Sequence, residues 1–205
     1  ELVWLLNVCY QTIGQYPEEV PERFLIPVKA FAGHSDFPRF EDVAPQLGVA
    51  VDGIAGGSIV EDFNNDGFMD LVVTSSGVKT SDQTRFFLNS GDGTFSDYTK
   101  KAGLTGYLGG LNTVQTDYNN DGFADIFIMR GGWFGKWGQH PNSLLKNNKD
   151  GTFTDVTVEA GLLSFQPTQT CAWADFNNDG CSVLIIGSDG RVTLMRMRSA
   201  PGKFH

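Results

Sequence analysis

The chain has 205 residues, a mass of 22.4 kDa and a formal charge of −9, with 40% apolar and 19% charged residues and 25 glycines. This apolar content excludes a disordered polyelectrolyte and predicts a globular core with many tight turns, while the acidic balance excludes nucleic acid as a partner, because phosphate binding needs a basic patch. Cys9, Cys171 and Cys181 form no CxxC pair, which excludes a zinc site or disulfide framework, and no run approaches the ~20 apolar residues of a membrane span.

The first predicted element is an amphipathic helix in residues 1–16, where Leu2, Leu5, Leu6, Cys9, Tyr10 and Ile13 recur at helical spacing and Gly14 can close the end. Trp4, Tyr10, Gly14 and Tyr16 there resemble half of a tetratricopeptide repeat, so the segment reads as the end of a helical repeat region. Residues 1–20 carry no basic and apolar pattern of a signal peptide, so export is not encoded in the residues given. Residues 17–37 follow as an extended linker, with Pro17, Pro21 and Pro27 preventing continuation of the helix.

From residue 38 to 205 the chain repeats itself. EDFNNDGFMDLVV (61–73) returns as TDYNNDGFADIFI (116–128) and as ADFNNDGCSVLII (174–186). A second motif keeps the same phase: PRFEDVAPQLGV (38–49), GTFSDYTKKAGL (93–104) and GTFTDVTVEAGL (151–162). A period of this size marks a repeat architecture.

Inside each period the pattern is that of strands. SIVEDF, TVQTDY and CAWADF alternate before the acidic loop, LVVTSS and IFIMRG follow it, RFFLNS and SLLKNN make a third strand, and Asp-Gly turns lead into a fourth. Four antiparallel strands per unit of about 50 residues is the blade of a β-propeller. The predicted class is therefore all-β: a partial β-propeller of fewer than three complete blades, preceded by a short helix. The third unit reads as degenerate from about residue 181, where the step from loop to third strand shortens and the tail RVTLMRMRSAPGKFH turns basic.

The acidic loops place oxygen ligands at alternate positions, close with a glycine turn and end on a further carboxylate. That arrangement suits a hard cation wanting six to eight oxygens, hence Ca2+ and not zinc. The first site takes side chains from Asp62, Asn64, Asp66 and Asp70 and the carbonyl of Phe68; the second takes Asp117, Asn119, Asp121 and Asp125 and the carbonyl of Phe123. The third keeps Asp175, Asn177 and Asp179, but Val183 replaces the last carboxylate, so it is expected to be impaired. A bare Asx-rich hairpin is the alternative that needs no ion. An EF-hand fails because its bidentate Glu position is Val73, Ile128 or Ile186. Acid–base catalysis fails because near-identical loops offer near-identical environments, whereas such chemistry needs two different ones.

Between the second and third strands of the second unit, RGGWFGKWGQHPN (130–142) carries Trp133, Phe134, Trp137 and His140. Loop aromatics of this kind are candidate ligand contacts, with packing against a neighbouring blade as the alternative. No Ser or Cys stands near a histidine at a spacing that would make a nucleophilic triad, and the glycine pairs precede strands, not helices. No enzymatic centre is expected.

These motifs resemble the FG-GAP or VCBS repeats of integrin-alpha-like β-propellers, and more closely the cartilage acidic protein type, which often carries an ASPIC/UnbV segment. The resemblance covers residues 38–190 and rests on the DxNxDGxxD loops together with LNSGDGTFSDYTKKAGL (88–104) and LKNNKDGTFTDVTVEAGL (145–162). It implies a propeller of about seven blades, calcium in the hairpin between the first two strands, and a binding or adhesive role toward a protein or carbohydrate ligand. Fewer than three blades leaves open strand edges for further blades of a longer chain or other subunits. Calcium sites imply a secreted or extracytoplasmic setting. An accessory domain of a larger enzyme and a self-assembling extracellular structural protein are the other roles such repeats allow.

Overall fold

In a computed structural model, residues 2–30, 40–54, 56–77, 82–180, 182–188 and 191–196 are described. The chain divides into two compact units, Glu1–Glu41 and Asp42–His205. Part of the predicted linker, the residues beyond 196 and Cys181 lie outside the described residues.

In the first unit, helix α1 spans Leu2–Thr12, and the residues after it form two 3₁₀ turns, Glu22–Phe24 and Val28–Ala30. The expected apolar stripe is not what the helix buries: Leu2, Leu5, Cys9 and Ile13 are exposed, and its buried residue is Asn7. Its Nδ2 donates to the carbonyls of Val3 (2.7 Å) and Phe24 (2.8 Å), and its Oδ1 accepts from the Ile26 amide at 2.9 Å. A buried amide with three partners is what ties this return segment to the helix, and satisfying those groups decides the orientation over the apolar spacing.

Among the described residues the second unit has eleven strands. The first sheet runs in order β1 (Ser58–Glu61), β2 (Asp70–Val73), β3 (Arg85–Asn89), β4 (Phe95–Asp97), the second in order β5 (Asn112–Thr116), β6 (Asp125–Met129), β7 (Ser143–Asn147), β8 (Phe153–Asp155). The third holds β9 (Thr168–Ala174), β10 (Val183–Ser188) and β11 (Arg191–Arg196), with β10 between its neighbours. Every pairing inside the sheets is antiparallel, and the sheets meet through their first strands, β1 against β5 and β5 against β9. These are propeller blades, two of four strands and one with three strands among the described residues. A short helix, α2 (Ala44–Leu47), precedes the first, ended by Gly48 in the left-handed conformation.

Strand alternation explains how one blade serves two cores. All five residues of β6 are buried. Ile126 and Ile128 point to one side and pack with Ile59, Phe63, Val72, Phe86 and Leu104 of the first blade. Phe127 and Met129 point to the other and pack with Leu184 and Ile186 of the third. A middle blade with neighbours on both faces is thus apolar at every position, because successive side chains leave a strand on opposite sides. In the first interface Phe63, Phe86 and Phe153 meet edge to face at 5.6–5.8 Å.

Antiparallel order also fixes where the functional loops lie. The first-to-second and third-to-fourth connections share one end of each blade. The second-to-third connection, and the return to the next blade, share the other. The acidic loops and the aromatic loop therefore occupy opposite ends. No helix among the described residues is long and apolar enough to cross a membrane.

Candidate metal loops and an opposite cavity

Each acidic loop is shaped by its own carboxylates accepting backbone N–H groups. In the first, Asp62 Oδ1 accepts from Asp66 N (3.1 Å) and Oδ2 from Gly67 N (2.8 Å), while Asp66 Oδ1 accepts from Phe68 N (2.8 Å). The second matches it: Asp117 accepts from Asp121 N (2.9 Å) and Gly122 N (2.8 Å), and Asp121 from Phe123 N (3.1 Å). In the third, Asp175 accepts from Asp179 N (3.1 Å) and Gly180 N (2.8 Å). Asn64, Asn119 and Asn177, at the third position, each turn Nδ2 to the fifth-position carboxylate of the loop, at 2.8, 3.0 and 2.9 Å. The chain reverses through left-handed Asn65, Asn120 and Asn178 (φ 56–58° in the first and third, 55° in the second) followed two residues later by glycines at φ 80–90°.

The last carboxylate is the distinctive one. Asp70 and Asp125 are fully buried. Asp70 accepts from Asn89 N (2.9 Å) and Phe63 N (3.2 Å), and Asp125 from Asn147 N (2.7 Å) and Tyr118 N (3.2 Å). Each therefore ties the exit of the first strand to the third strand across the second. Burial pushes Asp125 up to about 7 against the lowering pull of the Asn147 and Tyr118 amides, and the charges of Asp121 and Asp117 raise it further. Asp70 is raised by the same causes, burial first, then Asp66 and Asp62 against the amides of Asn89 and Phe63. Tyr118, buried beside the second loop, is pushed up to about 12 by burial and by Asp125.

This donor set fits a hard cation in chemistry: oxygens at alternate positions, and a buried carboxylate whose charge is costly without a cation. Asp62, Asn64, Asp66, Asp70 and the Phe68 carbonyl would hold it in the first loop, and Asp117, Asn119, Asp121, Asp125 and the Phe123 carbonyl in the second. There is no preformed cage. Among the described residues no three His, Cys, Asp or Glu side chains gather into a metal-holding group, the carboxylates being turned to loop amides. The second loop also carries Lys149, whose Nζ lies 3.5 Å from Asp121 Oδ2 and donates to the Asp121 carbonyl at 3.1 Å. In the third loop Val183 is 1% exposed and paired with Ala174 of β9, so no carboxylate spans the blade at that position.

Sequence reasoning missed what joins the loops. Asn65 Nδ2 donates to the Gly122 carbonyl at 3.1 Å, and Asn120 Nδ2 to the Gly180 carbonyl at 2.5 Å. Each loop thus grips the glycine turn of the next. Asn147 Nδ2 adds a bond to the Phe63 carbonyl at 2.7 Å. The signal was present as NN doublets in all three copies, but only the first asparagine of each was read as functional.

At the other end, the aromatic loop forms a 3₁₀ segment, Gly132–Trp137. Phe134 and Trp137 are 48% and 78% exposed, His140 is exposed, and the Phe134 and His140 rings meet at 6.1 Å. The Trp133 side chain lies outside the described residues. Lys136 stands over Trp137 at 4.9 Å. Phe134 and His140 flank a cavity of about 470 Å³ between the first and second blades, walled by residues from 54 to 140. Gly131 must be glycine: it sits at φ 84°, and a Cβ there would lie 1.9 Å from the Gly138 carbonyl.

A model of the FG-GAP-like repeat matches residues 62–128 and 117–186, together more than half of the chain. The fold and the repeated loops are those of a β-propeller-type repeat protein, and the chain belongs to the FG-GAP-like repeat family. It is similar to cartilage acidic protein 1 of Xenopus tropicalis, 31% identical over 130 residues, which is 62% of this chain and 18% of that protein. Among solved structures it is similar to an Agrocybe aegerita lectin described as recognising non-reducing terminal N-acetylglucosamine, with a TM-score of 0.41, 20% identity, and coverage of 72% of this chain and 36% of that one.

Proposed function

We propose that the chain is a non-enzymatic binding module of an extracytoplasmic protein, whose first two acidic loops hold Ca2+ and thereby stiffen the blade ends. The observation that carries the reading is the pair Asp70 and Asp125. Each is a fully buried carboxylate, raised by burial and by its loop partners, at the position where an oxygen cage would close. Calcium repays the cost of that charge and draws the first, third and fifth residues of the loop to one point. The third loop, closed by Val183, binds weakly or not at all. Protein and carbohydrate partners both suit such a scaffold, which presents its aromatic loop at the end away from the metal. Extracellular calcium levels match the modest affinity expected of exposed loops of this kind.

Calcium that binds only the folded chain stabilises it by RT ln(1 + [L]/Kd), about 2.7 kcal/mol at a hundredfold excess over Kd. Thermal unfolding in millimolar calcium and in chelator should therefore differ by several degrees. Asp70→Ala and Asp125→Ala should each shrink that difference. Identical melting curves with and without calcium would sink the reading.

A further inference from the structure

At the end opposite the acidic loops, Arg130 is a half-buried cation with no carboxylate in ion-pair distance among the described residues. Its Nε donates to the carbonyls of Leu108 (3.0 Å) and Gly109 (3.3 Å), Nη1 to the Pro141 carbonyl and Ser143 Oγ (2.8 Å each), and Nη2 to the Leu108 carbonyl at 2.7 Å. A guanidinium has five N–H donors, so one Nη2 hydrogen is without an acceptor among the described residues. Burial lowers the Arg130 pKa, with Asp155 pulling the other way. The hydrogen bonds that hold the guanidinium therefore come from carbonyl and hydroxyl dipoles, while Asp155 acts on it only without a direct ion pair.

Arg130 lines the 470 Å³ cavity and also an adjoining one of about 320 Å³, with Leu108 and His140 common to both. The larger cavity is otherwise walled mainly by apolar groups, including Ile54, Leu108, Leu111 and Phe134. Its volume is within the range of roughly 300–1,000 Å³ that small-molecule sites occupy. One fixed cation in an apolar chamber selects for a ligand of matching division: an anionic head and an apolar body.

We propose that this cavity binds a small amphipathic monocarboxylate, its head on Arg130 and its tail against Ile54, Leu108, Leu111 and Phe134. A carboxylate is favoured because it accepts the remaining Nη2 hydrogen as a charge-assisted bond and supplies a direct ion pair, which Arg130 lacks among the described residues. This gives a ligand class to the binding role proposed above and rests on it. Neither the aromatic loop nor the acidic loops pointed to Arg130, which in sequence is only the first residue of RGGWFGKWGQHPN.

The test is isothermal titration of the whole chain with octanoate beside octanamide, which has the same tail and a neutral head. Octanoate should bind saturably at one site, about tenfold tighter than octanamide or better. Arg130→Met should erase that preference. Since Arg130 also secures four carbonyl and hydroxyl partners, Ser76→Trp serves as the second variant, filling the cavity from a lining residue outside those bonds. It should abolish octanoate binding while leaving the melting temperature intact. Equal affinity for the two probes, or octanoate binding unchanged by Ser76→Trp, overturns the proposal. Repeating both titrations in calcium and in chelator separates the two readings. A calcium-insensitive melting curve with the octanoate preference retained would defeat the calcium assignment alone, and a calcium-sensitive curve with no preference would defeat this site alone.

Discussion

The second and third blades carry nearly the same loop, NNDG after an aspartate and an aromatic residue, yet they solve the next step differently. In the second, Asp125 follows and accepts amides from both the first-strand exit and the third strand. In the third, Val183 is at that position, buried and apolar, and β10 pairs with β11, Ser188 lying opposite Arg191. The burial of equivalent side chains separates the blades too. Tyr118 is 4% exposed but Phe176 65%, and Leu144 is 0% exposed but Leu194 58%. The middle blade is packed on both faces, while the third, among the described residues, is packed on one. The comparison teaches that the ninth-position carboxylate has a structural duty, bracing three strands, besides any ionic one.

The largest effect, read in calcium where the lost cation binding adds to the lost bracing, should come from exchanging that position. Asp125→Ala strands the buried amides of Tyr118 and Asn147, at about 1–3 kcal/mol for each donor, partly offset by removing a costly buried charge. A net loss of about 2 kcal/mol in chelator is expected, together with loss of the calcium response at that loop. The reciprocal Val183→Asp places a carboxylate at a 1% exposed site and should lower the melting temperature in chelator, with calcium restoring it as the third oxygen set is completed. Thermal unfolding of both variants in calcium and in chelator decides this; a Val183→Asp protein equally unstable in both would show that the carboxylate is not what the third loop lacks.

A second exchange tests the packing difference. Tyr118→Ser removes an aromatic ring from the core shared by the second and third blades and should cost about 3 kcal/mol. Phe176→Ser, at the equivalent exposed position, should move stability by less than about 0.5 kcal/mol. Chemical denaturation midpoints compare them directly, and equal losses would mean that Phe176 is covered in solution.

The strands and loops were legible because the repeat states them three times over, with alternation, Asp-Gly turns and acidic loops in fixed phase. What was not legible depends on partners far apart in the chain. Asn65 and Gly122, or Asn147 and Phe63, are ordinary polar and turn residues until the blades bring them together. Arg130 gives no sign in sequence that carbonyls, and not a carboxylate, will hold it. Helix α1 shows the opposite failure: its apolar spacing was clear, but hydrogen bonding to Asn7 determined which side is covered.

The link between loops gives a smaller effect, and one that distinguishes backbone from side chain. Asn120 has φ 55°, so alanine there would add strain, whereas Asn120→Gly keeps the turn and removes only the bond to the Gly180 carbonyl. About 1 kcal/mol should be lost by Asn120→Gly. Calorimetric calcium titration should also show weaker binding at the second loop, because its geometry is braced from the third blade. Unchanged stability and affinity would reduce that bond to a surface contact.

The smallest effect is a pH dependence confined to the third blade. Burial pushes the Cys171 thiol up to about 12 from an ordinary value of 9.0. Its folded pKa is raised, so the neutral thiol is the form the fold favours, and the stability it contributes is fully present below about pH 9 and lost as pH rises from there toward 12. The aligned position in the second blade is Thr113, whose hydroxyl donates to the Phe127 carbonyl and which cannot ionise in this window. In a Cys9→Ser, Cys181→Ser background, iodoacetamide should alkylate Cys171 slowly at pH 8 in the native chain and rapidly in denaturant, since only the thiolate attacks. Cys171→Thr in that background should flatten the alkaline fall in melting temperature. Rapid native labelling would mean that the third blade opens far more readily than the second, turning the contrast between them from one of packing into one of dynamics.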